Sequence, residues 1–342
     1  EGAFASCQSL ESITIPVGLN HAISTSHTTA LFEGATLSQF YGCSALTSVT
    51  IKVPSINAGF TAWIDNDLLK TNAVTKIILA EGVTDVGDQS FRNKSSLQSV
   101  VFPVSASRIG NLAFQNCAGL TEVTISKGTT SIAGNAFEGC PKLNAIEVAG
   151  ENKTYSSKDG LLFDKKGTTL IKCPEGKSGA CVLPEGVTSI SVSAFRRCVG
   201  LTEVILPEGV TGIGSHAFSE CTGLTRITIV DSVTSIGGHA FSSCPGLTAI
   251  TIPKGVTTIG TFAFADCQAL KSVSIGEQVT TIGNSAFSDC RNLTSVEVLG
   301  RGIRAATDVF KNSPATIYYR PGAQGWGPVW NDRFVKPISE KP

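Results

Sequence analysis

The sequence contains no methionine, only three tryptophans, four tyrosines and four histidines in 342 residues. Charged side chains make up 16% of it, well under the roughly 25% of ordinary soluble proteins. Lys+Arg and Asp+Glu number 27 each, so the chain is formally neutral. That balance removes the electrostatic footprint of a nucleic-acid binder and leaves no basic face for anionic lipid. No apolar run approaches the ~18–20 residues of a membrane-spanning helix. A charged-then-apolar leader is missing at Glu1, so an export signal is expected either upstream of it or not at all. Gly-x-Ser-x-Gly, a phosphate-binding glycine loop and His-Glu-x-x-His are also missing, and nothing singles out a glycosidase-type carboxylate pair. Catalytic residues, cofactor and metal are therefore expected to be none.

Aliphatic residues, 17 Phe and 35 Gly are plentiful, which is too apolar for disorder. They recur on a grid. Phe91, Phe114 and Phe137 stand 23 residues apart, and Phe195, Phe218, Phe241, Phe264, Phe287 and Phe310 repeat the same step. Cys follows each Phe by three residues in most copies and Leu by six. Val/Ile/Leu follow by nine and eleven, and again by fifteen and eighteen. Weaker copies start at Phe4, Phe40 and Leu68. Leu-x-x-Val-x-Ile alternates with Ser/Thr and predicts a short half-buried strand, and Pro-x-Gly-Val a turn. Val-Thr-x-Ile predicts a second extended piece, and Ala-Phe-x-x-Cys one helical turn with Phe and Cys on the same side. One such unit holds too few apolar side chains to offset the entropy of ordering it, so units must share their interior and backbone hydrogen bonds with neighbours. About thirteen rungs at ~4.8 Å spacing predict an arc roughly 60 Å long.

The grid breaks at about residues 19–39, 52–67 and 150–172. In the last of these, DGLLFDKKGTTLI predicts two short strands around Asp-Lys-Lys-Gly. From Lys311 the pattern gives way to a stretch with Tyr318, Tyr319, Trp326, Trp330 and Phe334. Residues 311–342 are thus expected to cap a solenoid of residues 1–310. Glu1 falls inside a unit, so the natural protein is expected to continue N-terminally.

The unit Ile-Gly-x-x-Ala-Phe-x-x-Cys-x-x-Leu-Thr-x-Val-x-Ile-Pro-x-Gly-Val resembles the BspA-type leucine-rich repeat of bacterial cell-surface proteins. The interruption GLLFDKKGTTLIKCPEGK and the closing IYYRPGAQGW are similar to that family's irregular unit and its usual end. The resemblance implies an α/β repeat fold, a right-handed leucine-rich-repeat solenoid of 23-residue units with short strands and single-turn helices. It also implies a secreted or surface-anchored binding protein, sometimes an adhesin, with no catalytic residues and no ligand that can be assigned to a named position.

Eleven cysteines invite a disulfide framework. Nine of them, Cys7 to Cys290, fall in one column, however. Stacked parallel side chains keep their Cβ atoms ~4.8 Å apart, beyond the ~3.5–4.5 Å of a bridge, so buried free thiols are expected. Cys173 and Cys181 lie off the column, and a local bridge between them is left open. His216 and His239 share an offset on consecutive rungs, yet a zinc site needs a third ligand, so exposed residues are expected. Glu185, Glu208 and Asp231, continued by Lys254 and Glu277, read as a solvated edge rather than a calcium site.

The outward strand positions form a Ser/Thr face with few aromatics, represented by Arg226, Thr228 and Thr251. Trp63, Tyr41, Tyr155 and Phe163 stand in the irregular stretches, which on solenoids often carry the binding face. These seven residues are the expected ligand surface. The expected function is non-catalytic extracellular recognition of a host protein or glycan by a monomer, with no nucleic acid and no membrane span. A carbohydrate-binding accessory protein of nutrient uptake and a structural spacer for a missing N-terminal domain stand as alternatives.

Overall fold

The structure is a computed structural model that describes residues 11–15, 46–56, 74–300, 303–321 and 329–341. It divides into two compact units, Glu1–Lys165 and Lys166–Pro342.

In the first unit the strands Ser12–Ile15, Ser48–Ile51, Lys76–Leu79, Ser99–Val101, Glu122–Ile125 and Ala145–Val148 pair in that order, all parallel. Ser12 lies opposite Ser48, Ser48 opposite Lys76 and Lys76 opposite Ser99, so like positions of the repeat coincide. A second parallel ladder joins Ser55–Ile56, Asp85–Val86, Arg108–Ile109 and Ser131–Ile132. The second unit repeats this plan. Its second ladder runs unbroken from Ser189–Ile190 through Gly212–Ile213, Ser235–Ile236, Thr258–Ile259 and Thr281–Ile282 to Arg304–Ala305.

The alternation of the sequence explains the burial. On the rung headed by Phe218, Ile227 and Ile229 point inward while Arg226 and Thr228 face solvent, because successive strand residues face opposite sides. Leu224, Val233 and Ile236 close the same interior. Branched side chains fit this half-buried pleat well. The Phe column forms continuous stacks. Phe91, Phe114 and Phe137 lie 5.3 and 5.4 Å apart, and Phe195 to Phe310 follow one another at 4.6 to 5.6 Å with ring planes within 12°.

The single-turn helices expected at Ala-Phe-x-x-Cys do not form, and the only described helix is the three-residue 3-10 turn Ile338–Glu340. The segment is a chain of tight turns. Ala217, Ser219 and Cys221 donate their N–H groups three residues back, to Gly214, His216 and Phe218, at 3.1–3.3 Å. The amides between them turn sideways. His216, Phe218 and Glu220 donate to Gly238, Ala240 and Ser242 of the next rung at 2.7–2.9 Å. An α-helix would need every amide for bonds four residues back along its own segment. Here half of them hold the rungs together, and His216 and Glu220 adopt left-handed backbone angles, φ 56° and 62°, to allow it.

The cysteine column has a hydrogen-bonding role. The thiols of Cys117, Cys140, Cys221, Cys244, Cys267 and Cys290 each donate to the carbonyl of the Phe one rung back, at 3.0–3.2 Å. On the following rung Ser313 takes the column position and its hydroxyl donates to Phe287 at 2.7 Å. Cys173 and Cys181 are both buried and form no disulfide, and Cys198 donates instead to Cys173 and Pro174 at 3.7 and 3.6 Å. Cys7 and Cys43 lie outside the described residues.

The irregular stretch at 150–172 contains the expected strands Leu161–Asp164 and Thr169–Lys172. An additional strand, Tyr155–Lys158, pairs antiparallel with Leu161–Asp164 around Asp159 and Gly160, both at positive φ as such a two-residue turn requires. Buried Asn152 anchors its start. Its amide donates to Ser126 and Thr129, and its carbonyl accepts the N–H groups of Thr154 and Tyr155. At the C-terminus the sheet continues where the repeat pattern has stopped. Thr316–Tyr319 pairs parallel with Ser295–Val298, and Arg333–Pro337 with Thr316–Tyr319. Trp330 closes the Phe stack against Phe310 at 6.1 Å, whereas Phe334 is exposed.

Candidate binding surface

The outward face of each strand is built from the small polar residues that alternate with the buried ones. At the residue just before each strand, one main-chain bond links rung to rung. In the first unit Thr47 donates to Glu11, Thr75 to Thr47, Gln98 to Thr75, Thr121 to Gln98 and Asn144 to Thr121. In the second unit Thr225 donates to Thr202, Lys271 to Thr248 and Thr294 to Lys271, at 2.8–3.0 Å. Between these rungs no bond runs from Thr248 to Thr225.

The strands tell the same story. Arg226–Thr228 pairs with Gly200–Ile205, and Ala249–Ile252 with Ser272–Ile275, but the two do not pair with each other. The other sides of these rungs stay closed, since Ser235–Ile236 pairs with Thr258–Ile259 and Phe218 still donates to Ala240. The opening is thus confined to the strand face. The interior is slightly uncovered there, with Ile227 at 8% and Ile229 at 6% exposure against 2% and 0% for Val273 and Ile275 on a rung paired on both sides.

A groove of about 600 Å3 lies along this opening, within the ~300–1,000 Å3 range of ligand sites. Its rim carries the hydroxyls of Thr228, Thr251 and Ser274, and its floor the side chains of Ile227, Ile229, Ile250 and Ile252. Asp231, Lys254 and Glu277 line its end. These charges are paired: Lys254 meets Asp231 at 3.0 Å and Glu277 meets Arg320 at 2.5 Å. The bond to Asp231 and its charge hold the Lys254 ammonium above its ordinary range. Arg226, beside the groove, reaches Glu203 at 3.4 Å. The site is therefore electrically balanced, with hydroxyl donors and acceptors above an apolar floor.

Two other clusters carry titratable side chains. His216, His239 and Phe262 stack in one column at centroid distances of 4.6 and 4.9 Å. Burial, followed by electrostatic repulsion from His239 and Arg196, pushes His216 below its ordinary pKa. The buried thiols are driven the other way, with Cys117 and Cys244 pushed up to about 12 by desolvation. Among the described residues no three His, Cys, Asp or Glu side chains are placed to hold a metal ion.

The sequence matches the family model of the BspA type leucine rich repeat region, in six copies, over residues 1–58, 62–164 and 182–316. The chain belongs to this family. Among solved structures, this BspA-type chain is similar to a leucine rich cell surface protein from Faecalibacterium prausnitzii, at 28% identity and TM-score 0.62, over 84% of this chain and 79% of that one. It is similar to a leucine-rich repeat protein from Eubacterium ventriosum at 26% identity and TM-score 0.57, over 80% and 73%. The pneumococcal vaccine antigen PcpA shares the fold at 21% identity and TM-score 0.65, over 81% and 75%. No protein with a curated description matches. No enzyme family is indicated.

Of the seven residues expected at the ligand surface, Thr228 and Thr251 come together in the groove and Arg226 stands next to it. Tyr155 and Phe163 do not belong with them. They are 9% and 2% exposed. The Tyr155 hydroxyl is taken up by accepting the N–H of Ile132 at 3.0 Å. Aromatic side chains in an irregular stretch read as surface, but here they fill the interior in place of regular rung residues. Trp63 and Tyr41 lie outside the described residues. Ser274 and the isoleucine floor were not anticipated, and Asp231, Lys254 and Glu277 were read only as a solvated edge. Val230 occupies the position held by Pro207 and Pro253 on the flanking rungs, but Ser126 and Gly276 stand there on rungs paired on both sides, so the opening has no distinctive mark in one unit's sequence.

Proposed function

We propose that this BspA-type chain is a non-catalytic extracellular recognition protein that binds a host protein or glycan through the strand face of its second unit. The supporting observation is the coincidence of the missing Thr248-to-Thr225 bond with a groove that combines hydroxyls and an apolar floor. The family and the similarity to a bacterial leucine rich cell surface protein support the location. Regular rungs present only a solvated Ser/Thr face, so the departure from regularity is where selectivity resides. Few aromatics line the groove, which suits shape and hydrogen bonding more than the Trp/Tyr/Arg anchors of very tight interfaces.

The test is a glycan array run beside a panel of immobilised extracellular-matrix proteins, with the unaltered chain and a Thr251→Trp variant. Thr251 is exposed, so the indole fills the groove without entering the core. A ligand bound by the unaltered chain and lost by the variant, with unchanged circular dichroism, is the expected result. Ligands bound equally by both would move recognition elsewhere, and no ligand on either surface would remove this reading.

A further inference from the structure

The groove also specifies a class of ligand. We infer that it takes an extended peptide whose residues alternate between β-branched apolar and small polar side chains, held by main-chain hydrogen bonds to the unpaired strand edges. This inference rests on the recognition reading above.

Three observations carry it. First, the strands Arg226–Thr228 and Ala249–Ile252 are each paired on their outer side and unpaired toward one another. Their inner edges therefore present main-chain donors and acceptors in the spacing of a parallel sheet, which is the basis of recognition by strand addition. Second, the N–H of Thr248 has no main-chain partner although those of Thr225, Lys271 and Thr294 on nearby rungs do, and Thr248 is exposed. Third, the surroundings alternate as a strand's side chains do. One face of the opening meets Ile227 and Ile250, the other the hydroxyls of Thr228 and Thr251. A residue facing down lies on branched aliphatics, and the next, facing up, lies among hydroxyls. A sugar would use the hydroxyl rim but would leave the strand edges unpaired. The ladder on the opposite side, through Ser235–Ile236 and Thr258–Ile259, is closed, so the unpaired edges belong to the strand face alone.

The probe is a synthetic peptide of sequence Leu-Thr-Ala-Ile-Thr-Ile with a Gly-Ser tail and a fluorophore, which copies the side-chain alternation of residues 247–252. Its controls are the same peptide N-methylated at alternate amides and the Thr251→Trp and Thr228→Arg variants of the full chain. Saturable binding is expected, weakened at least tenfold by N-methylation and by either variant. Hydrogen exchange at the Thr248 amide should slow when peptide is present. Absence of binding, binding indifferent to N-methylation, or binding that leaves Thr248 exchange unchanged each overturns the inference. If the peptide fails while a glycan or a matrix protein still binds in a Thr251-sensitive way, the peptide assignment falls and the recognition reading stands. If nothing binds, both fall.

Discussion

Replacing Phe241 by alanine removes a ring held on both faces. Phe218 and Phe264 each lie 5.0 Å from it with planes 4° apart, and the side chain is fully buried. Truncating a buried Phe typically costs about 3–5 kcal/mol, the larger values arising where the surroundings cannot close the cavity. They cannot close here. The backbone on either side is fixed by the Phe218 to Ala240 and Phe241 to Ala263 bonds, both 2.7 Å, so neighbouring rungs cannot slide together. Loss of about 4–5 kcal/mol is therefore expected. In urea, with a slope of about 2 kcal/mol/M, this moves the midpoint down by about 2 M. Long repeat arrays can lose all-or-none behaviour, so tryptophan fluorescence and far-ultraviolet circular dichroism should be followed together. Phe310→Ala is the internal comparison. Its neighbours are a ring at 5.6 Å and a tilted indole at 6.1 Å, so its cost should be smaller. A cost below about 1 kcal/mol for Phe241→Ala, or a larger one for Phe310→Ala, would refute the stacked-interior reasoning.

The cysteine column yields two further expectations. Because the Cys244 thiol donates to the Phe218 carbonyl and Ser313 does the same on its own rung, Cys244→Ser should be tolerated better than Cys244→Val in urea unfolding. Valine loses the donor and overfills the site, at about 1–3 kcal/mol. The reverse order would make the thiol a mere filler. With Cys117 and Cys244 pushed up to about 12 by burial, a thiol-specific reagent at pH 8 should label them only after denaturation. Labelling at the rate of a free peptide thiol would contradict their burial. His216 is held below its ordinary pKa, so its neutral form stabilises the fold above about pH 6.5 and that contribution is lost as pH falls through the lower folded value. His216→Asn should flatten the decline of stability below pH 6.5, and an unchanged decline would assign it to other groups.

Much of the architecture was legible because the repeat writes each buried column at a fixed offset, so Phe, Cys and Leu could be placed inside without coordinates. The helices were misread for a definite reason. Within one unit the bonds from Ala217, Ser219 and Cys221 to residues three back look helical. The competing bonds from His216, Phe218 and Glu220 go to another rung and leave no trace inside the unit. The same limitation hid the candidate site. Thr228 and Thr251 were identifiable as outward residues, but the missing bond between Thr225 and Thr248 is a property of two rungs together. Tyr155 and Phe163 show the opposite case, since departure from the repeat reads as exposure in the sequence but marks a different way of filling the interior.

Residue-resolved hydrogen exchange of the free protein addresses the opened strand face most directly. The Thr225, Lys271 and Thr294 amides, each bonded to the preceding rung, should exchange slowly, and the Thr248 amide should exchange faster than all three by at least two orders of magnitude, the protection a stable ladder bond confers beyond about 2.7 kcal/mol. Equal protection at all four would show a continuous ladder and contradict the account.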